Sequence, residues 1–315
     1  MSLIENSKLP TSWRTPVAGH VQLPLPRRTR LFAVFRSAAL YCGLWLIVAP
    51  GFLAIANFAS GQVKALLWGS GIALVLLAAL LGTRSSPVTG APLILAPPVR
   101  GRWMGINSPA TRIPSHGTHA FGQTYAIDLI ASPNDQPSQV RSDAKTAFLP
   151  PQEFPSFAKP VCAIADATVV RVHDRRPDHK SRSTKVALIY FALESFIRSL
   201  GPPSFLLGNY LILRLRDGSH VLYSHLRRGS LRVAANDHVK AGDLIAECGN
   251  SGNSTMPHLH IQRQDAPSVL AATGLPWAIV GVGEGDAPGF PRNGEIAYFE
   301  APAMEGRRGI RDTQE

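Results

Sequence analysis

The sequence of 315 residues predicts a mainly β globular domain preceded by a hairpin of two apolar helices. Two observations predict this class. Two long uncharged apolar runs lie near the N-terminus, and short runs of β-branched and aromatic residues bounded by Gly, Asp, Asn or Pro recur farther along. With 45% apolar residues, a chain of this length has enough material for a substantial core.

The first segment, residues 1–35, is predicted to be a flexible tail because it is polar, basic and rich in proline. The following hairpin, residues 36–82, contains the apolar runs 38–59 and 65–82. Each run matches the roughly 20 apolar residues that a helix needs to cross a hydrocarbon core. We therefore expect a transmembrane hairpin that anchors the chain in a lipid bilayer.

The charges that flank the hairpin favour one orientation. Arginines precede and follow it, whereas the turn between the two runs carries only Lys64. Positive residues usually remain in the cytoplasm, so this bias places the turn outside and the downstream domain inside. That orientation conflicts with the function developed below.

The remaining chain is predicted to comprise a proline-rich linker at 83–104, a globular domain at 105–285 and a loose C-terminal tail at 286–315. Its strands are expected at 125–130, 167–172, 210–215, 220–225 and around 239–248. Residues 186–200 have apolar side chains at helical spacing. We expect this helix to pack on the sheet, and a helix lying on a membrane surface is the alternative.

The net charge indicates which binding partners to expect, and the cysteine spacing indicates the redox state. Lys and Arg number 32 against 21 Asp and Glu, and the net charge of +11 favours phospholipid head groups or acidic envelope polymers. The basic residues are scattered without interleaved aromatic residues, so no nucleic-acid partner is expected. Cys42, Cys162 and Cys248 form no CxxC motif. Cys162 and Cys248 are expected to be reduced core residues, although a disulfide between them is an open alternative.

The histidines carry the predicted chemistry. His258 and His260 are one residue apart after a glycine-rich turn, so in a strand both side chains project from one face. Such a pair suits a metal ligand beside a general acid or base, and a surface strand with two unrelated histidines is the alternative. Other candidates are His225 at the end of a strand, and Asp128, which follows two histidines.

A family resemblance rests on three ordered motifs. They are the stretch 253–260 (NSTMPHLH), the upstream stretch 223–226 (YSHL) and a His-to-Asp pair before both. Together with residues 233–247, they resemble the lysostaphin-type (LytM-like) zinc metallopeptidases over roughly residues 105–265. The resemblance implies an antiparallel β-sheet metallopeptidase domain with one Zn²⁺. It also implies hydrolysis of peptide cross-links in bacterial cell-wall peptidoglycan by a zinc-activated water.

The resemblance also implies individual roles. Asp128 and His260 correspond to zinc ligands, and His225 and His258 to the catalytic pair. The third ligand is either His116 or His119, and relatives with a similar strand around the aspartate favour His116. Two departures from the family pattern are Met256, in the place of a glycine, and Ile261, in the place of an aromatic residue. Met256 is expected to narrow the substrate groove.

Two alternatives complete the predictions. The first is a catalytically silent, envelope-binding regulator with the same fold, against which the presence of all five expected groups argues. The second concerns the side of the membrane. A peptidoglycan hydrolase needs its domain outside the bacterial cytoplasmic membrane, and long domains are translocated regardless of flanking charge. We therefore expect an extracytoplasmic domain, against the arginine bias.

Overall fold

A computed structural model describes residues 23–55, 59–133, 148–182, 184–283 and 287–300. Most of the predicted N-terminal tail, residues 134–147 and the end of the predicted C-terminal tail lie outside these ranges. Within them the helices are α1 (Arg27–Ile55), α2 (Gly61–Arg84), α3 (Lys185–Ser199) and α4 (Ser204–Leu207). The strands are β1 (Leu93–Leu95), β2 (Gly101–Ile106), β3 (Ile127–Ala131), β4 (Pro160–Cys162), β5 (Ala167–His173), β6 (Asn209–Leu215), β7 (His220–Leu226), β8 (His238–Val239), β9 (Leu244–Glu247), β10 (Leu259–Gln264), β11 (Trp277–Ile279) and β12 (Ile296–Phe299).

An eight-stranded antiparallel sheet organises the domain, and it confirms the predicted mainly β class. Its strand order is β12-β2-β3-β10-β7-β6-β5-β8. Two smaller sheets, the parallel pair β1–β11 and the antiparallel pair β4–β9, lie beside it. Because side chains alternate between the faces of a strand, one face of β3, β7 and β10 supplies the core and the other supplies polar groups.

The core is built from the apolar face of the central strands. Leu129, Tyr223, Leu259 and Ile261 are fully buried there, and the main cluster extends to Cys248. Cys162 and Cys248 are both buried and free, so they are reduced core residues rather than a disulfide. The predicted strands around 125–130, 167–172, 210–215 and 220–225 are all present.

The predicted linker and C-terminal tail contain strands, contrary to expectation. The segment 83–104 includes β1 and most of β2, and 286–315 includes β12, which pairs with β2 at the sheet edge. Proline-rich flanks obscure these short strands in the sequence. Trp103, which is 2% exposed, and Phe299, which is fully buried, show that both segments belong to the core.

The two apolar helices pack against each other at a pair of glycines. A Cβ atom added at Gly43 would lie 2.8 Å from the Gly71 carbonyl oxygen, and one added at Gly71 would lie 2.8 Å from that of Gly43. Such close approach between small residues is typical of helix pairs in membranes. Both helices are long and apolar enough to cross a bilayer, by length and composition only.

The hairpin also contacts the β domain directly. The Ser37 hydroxyl donates to the Leu270 carbonyl oxygen at 2.7 Å, and the His119 amide donates to the Gly82 carbonyl oxygen at 2.7 Å. Helix α1 begins at Arg27, earlier than the predicted start of the hairpin. The reason is that its first turns lie on the domain, where Ala33, Arg36 and Ser37 are buried.

Helix α3 does not pack its apolar face on the sheet, so that prediction is wrong. Ile189 is 74% exposed, Val186 70% and Leu193 57%. The side of α3 that faces the protein carries polar groups instead, with Glu194 paired to Arg182 and the Ser195 hydroxyl bonded to Asn253 at 2.7 Å. The periodicity predicts the helix correctly, but not which side faces the protein.

Candidate metal and catalytic site

The site starts from two residues that face each other across neighbouring strands. Asp128 on β3 pairs with His260 on β10, and His260 also pairs with Ser224 on β7. The Asp128 Oδ1 atom lies 2.9 Å from the His260 Nδ1 atom. Strand register therefore fixes two of the predicted metal ligands, and both are at least nine-tenths buried.

His116 completes a group of three donors. It lies in the loop before β3, and its Nε2 atom is 3.2 Å from both carboxylate oxygens of Asp128. One donor atom each from His116, Asp128 and His260 lie within 4.8 Å of one another. Donors that surround Zn²⁺ at about 2.0–2.2 Å lie roughly 3–4 Å apart, so this set fits a zinc ion.

His119, the alternative ligand, points to other partners. Its Nδ1 atom is 3.1 Å from the Thr124 hydroxyl, and its backbone amide donates to Gly82. Burial lowers the pKa of His119. Among the described residues, the three-donor group contains His116 and not His119.

Polar neighbours orient the three donors. The Asn107 amide donates to Asp128 Oδ2 at 2.8 Å, and the Ser115 hydroxyl lies 3.1 Å from His116 Nδ1. Such outer hydrogen bonds fix the rotamer and tautomer of metal ligands. Asn107 was not among the sequence candidates. Asn107 has a positive φ of 48° and directly follows β2. Because the predicted linker extends to residue 104, β2 was not predicted, and nothing in the sequence placed Asn107 beside Asp128.

A row of amides along β10 defines the tautomer of His260. Gln262 donates from Nε2 to the Phe121 carbonyl oxygen at 2.7 Å and to Gln264 Oε1 at 2.5 Å, so its own Oε1 faces His260 Nε2 at 3.0 Å. An amide oxygen only accepts, so His260 Nε2 carries a hydrogen. Burial acts to lower the pKa of His260, but its hydrogen bond to Asp128 and the Asp128 charge raise it above the ordinary value. With a cation between His260 Nδ1 and the Asp128 carboxylate, Nδ1 would instead present its lone pair to that cation.

A β-bulge brings His225 to the same face. On β6, Asn209 and Leu211 pair with Leu226 and Tyr223, so Ser224 and His225 together oppose one residue. His225 has a φ of 60°, which is uncommon outside glycine. The bulge restores Leu226 to the core, while His225 turns toward the three-donor group, with its ring centroid 6.0 Å from that of His260. Bulges are common near active sites.

The imidazoles of His225 and His258 lie side by side, with ring centroids 4.8 Å apart. His225 Nδ1 donates to the Ser251 carbonyl oxygen at 2.9 Å, and His258 Nδ1 donates to that of Met256 at 2.8 Å. These bonds leave both Nε2 atoms as acceptors. His258 Nε2 lies 3.7 Å from Asp128 Oδ1, so the pair borders the three-donor group.

Burial sets the protonation of this cluster. It lowers the pKa of His225 well below the ordinary value, and the neighbouring imidazoles of His258 and His260 lower it further. Burial also lowers the pKa of His258, against the opposing effect of Asp128. For Asp128, burial acts to raise the pKa, but His116, His258 and the histidine hydrogen bonds hold it well below its ordinary value. The Asp128 carboxylate is therefore charged, and the imidazoles of His225 and His258 are neutral.

Met256 does not line a groove, contrary to expectation. Its side chain is 6% exposed and packs with Met104, Ile130 and Phe154 beside the sheet. Ile261, the other departure from the family pattern, is fully buried in the core. Both substitutions are therefore absorbed by packing, away from the donor atoms.

Comparison with known proteins confirms the predicted family resemblance. Residues 154–269 match the model of Peptidase family M23. The matched range contains His225, His258 and His260, and it begins after His116 and Asp128. Those two positions therefore rest on the geometry described above.

Individual relatives match shorter stretches. Lysostaphin of Staphylococcus simulans is 46% identical over 57 residues, which is 18% of this chain and 11% of that protein. The glycyl-glycine endopeptidase ALE-1 of Staphylococcus capitis is also 46% identical over 57 residues, 18% of this chain and 15% of its own. The chain thus spans a small part of these relatives. The crystallised catalytic domain of Staphylococcus simulans lysostaphin is 22% identical, with a TM-score of 0.28, over 48% of this chain and 74% of that one.

Proposed function

We propose that this chain, whose residues 154–269 match Peptidase family M23, is a membrane-tethered zinc metalloendopeptidase. The observation that carries the proposal is the convergence of five groups from distant segments on one face of the sheet. His116, Asp128 and His260 present three donor atoms, and His225 and His258 present two unprotonated Nε2 atoms beside them.

His116, Asp128 and His260 would hold one zinc ion per domain. Zinc in catalytic sites takes three protein ligands of these types and keeps one position open. A zinc ion there supplies Lewis acidity, which polarises a peptide carbonyl and acidifies water. The chain's own contribution is the ordered donor set, because Asn107, Ser115 and Gln262 each contact one ligand.

His225 and His258 would move the protons. Both are neutral with Nε2 as acceptor, so each is able to take a proton from the attacking water and return it to the leaving amine. Once protonated, the same imidazole is a donor for the oxygen that becomes negative in the transition state. The backbone acceptors at Ser251 and Met256 hold the two rings in place during this exchange.

The proposed substrate is a peptide bond in the cross-links of bacterial peptidoglycan. Support comes from the family match and from similarity to a relative named as a glycyl-glycine endopeptidase. The net charge of +11 suits an anionic envelope. No nucleic-acid partner is proposed.

The tether is the hairpin of α1 and α2 in the bacterial cytoplasmic membrane, with the catalytic domain on the outer side. Its support is the length and apolar composition of both helices and their largely exposed surfaces. A phosphatase reporter that is active only outside the cytoplasm, fused after Glu315, should be active. Activity of a cytoplasm-only reporter at the same position would contradict the wall-cleaving role.

Matched alanine variants of the purified full chain test the site. Asp128→Ala and His260→Ala should lose both zinc and activity, because each removes a donor atom. His225→Ala and His258→Ala should keep most of the zinc, while release of new amino groups from purified peptidoglycan falls by roughly 10² or more. Equal zinc loss in His225→Ala and Asp128→Ala would show that the ligands are assigned wrongly.

Two matched variants test which histidine is the first zinc ligand in the chain. His116→Ala should lose zinc, and His119→Ala should keep it, because the His119 ring is bonded to Thr124 rather than to Asp128. If the wild-type chain holds less than about half an equivalent of zinc after reconstitution, the enzyme proposal fails. A catalytically silent, envelope-binding regulator with the same fold then becomes the better explanation.

A further inference from the structure

Helix α3 exposes its apolar face and turns polar side chains toward the protein, the reverse of an ordinary surface helix. Its exposed stripe consists of Val186 (70% exposed), Ile189 (74%), Tyr190 (47%), Leu193 (57%) and Ile197 (55%). Val186, Leu193 and Ile197 lie three or four residues from Ile189, Tyr190 or each other, so the five side chains form one continuous apolar face. Scattered apolar residues on a surface are ordinary, but a contiguous apolar patch of this kind marks a site of interaction.

The inward side of α3 explains why the apolar stripe faces outward. Glu194 pairs with Arg182 and, at 3.0 Å, with Arg198. The Ser195 hydroxyl donates to Asn253 Oδ1 at 2.7 Å, which connects the helix to the loop before His258. These partly buried polar contacts fix the rotation of the helix, since turning the stripe inward would break the charged pairs.

The composition of the neighbouring segment 134–147 does not favour it as an apolar cover for the stripe. Residues 134–147, which precede the aromatic contact of Phe148 with Tyr190, read NDQPSQVRSDAKTA and are mostly polar. A second copy is also a poor occupant. One stripe on a helix of 15 residues, about 22 Å long, falls short of the roughly 1,000 Å² that a stable interface between proteins requires.

We propose that the α3 stripe inserts into the interfacial layer of the same phospholipid bilayer that holds the hairpin. This inference rests on the proposed tether. The hairpin is hydrogen-bonded to the domain through Ser37 and Gly82, so the domain stays close to the bilayer. An amphipathic helix lying in the membrane plane buries its apolar face about 5–10 Å deep at the headgroup boundary.

Aromatic and basic side chains, which are typical of the membrane–water interface, lie beside the N-terminal half of α3. The Phe148 and Tyr190 rings meet edge to face with centroids 5.6 Å apart, and the Arg182 guanidinium lies 5.3 Å and 5.4 Å from their centroids. Aromatic side chains are enriched at the headgroup level of membranes. The net charge of +11 adds attraction to anionic head groups.

The placement has a consequence for the active site. The hairpin contacts the loop that carries His119, close to His116, and α3 contacts Asn253 in the loop that leads to His258. The two contacts therefore reach the loops that precede Asp128 and His258, which both belong to the catalytic cluster. Docking α3 would hold the cluster next to the bilayer and fix its tilt, so that it meets membrane-proximal peptide chains.

The test uses the full chain in vesicles of phosphatidylcholine and phosphatidylglycerol. Cys42 is replaced by alanine, and Cys162 and Cys248 stay because they are buried. An environment-sensitive fluorophore is attached at Ile189→Cys, at Leu76→Cys on α2 or at Arg216→Cys in the turn after β6. We expect quenching by lipid-attached quenchers at the first two positions, and quenching by aqueous iodide only at Arg216→Cys.

The outcomes separate the two proposals. If the label at Leu76→Cys is quenched by lipid and the label at Ile189→Cys only by iodide, the tether holds and the α3 proposal is overturned. If both labels are quenched only by iodide, the tether itself fails. If labels at Ile189→Cys show energy transfer that survives dilution with excess lipid, a second copy covers the stripe, and the membrane proposal is overturned.

A charge substitution gives an independent readout. In the Ile189→Cys background, Leu193→Asp should move the label from the lipid to water, because the centre of the stripe would carry a charge. Ile113→Asp changes another exposed apolar residue, 50% exposed and outside α3, and should leave the label in the lipid. Equal responses of the two variants would overturn the proposal.

Discussion

Replacing Gln262 by methionine should weaken zinc binding without removing any ligand. The side chains have similar length, but methionine offers no strong acceptor for His260 Nε2, whose present hydrogen bond to Gln262 Oε1 is 3.0 Å and buried. Without that acceptor the hydrogen no longer favours Nε2, and the Nδ1 lone pair is lost from part of the population. Substituting the outer partner of a metal ligand typically costs 10- to 100-fold in affinity, which is about 1.4–2.7 kcal/mol.

The matched control is Gln264→Met, two residues along the same face of β10. Gln264 accepts from Gln262 and donates to the Ala266 carbonyl oxygen at 2.7 Å, but it does not contact His260. Both variants lose buried hydrogen bonds, so both should lower the free energy of unfolding by about 1–3 kcal/mol. Only Gln262→Met should change the zinc affinity by tenfold or more.

Competition with a chromophoric zinc chelator, on full chain in detergent micelles, measures the affinity. Circular dichroism at the same temperature shows that each variant remains folded. Equal affinity losses in the two variants would mean that the effect comes from general destabilisation. Wild-type affinity in Gln262→Met would mean that the amide row does not orient His260, and the tautomer argument would be wrong.

Three further outcomes are expected. Arg263→Leu should lower the free energy of unfolding by about 1–3 kcal/mol, because it removes the buried guanidinium's hydrogen bonds to Ser219 and Pro276 and its ion pair with the partly exposed Asp217. Burial acts to raise the pKa of Asp217, but hydrogen bonds from Ser219 and the charge of Arg263 bring it below its ordinary value. The ion-pair part of the stabilisation is therefore present near neutral pH and is lost as the pH falls through the folded-state pKa. In chemical denaturation, a loss that stays equally large at acid pH would contradict that assignment. Gly71→Leu should separate α1 from α2, as measured by cross-linking, while Gly69→Leu, where a Cβ atom meets nothing within 4 Å, should not. Cys248, whose thiol pKa burial raises, should not react with a thiol reagent until the chain unfolds, and rapid reaction in the native state would show that the core is open there.

Alternation of side chains made much of the site predictable. A period of two places His258 and His260 on one face, and the strand after His116 and His119 places Asp128 nearby. Strand signals likewise predicted the central sheet. These features are visible because they depend on residues that are close in the sequence.

Other features depend on contacts between distant segments. The bulge at His225 follows from pairing with β6 and from the Ser251 carbonyl oxygen, and neither is visible in the local sequence. The choice between His116 and His119 depends on Thr124 and on Gly82 of the hairpin. The outward stripe of α3 depends on charge pairs that only the fold assembles, because periodicity defines a face and not its partner.

Helix α1 continues from the β domain into the predicted membrane span without a break, and this limits how the domain can move relative to the membrane. This helix of 29 residues, about 43 Å long, begins on the β domain and continues through the predicted span without a loop between the two parts. The domain therefore has no joint near its base and little freedom to swing away from its support. In the proposed setting, the catalytic cluster works at constant height and reaches new substrate by lateral diffusion in the plane of the membrane. Its encounter rate would then depend on lipid viscosity and on the density of peptide chains in that single layer.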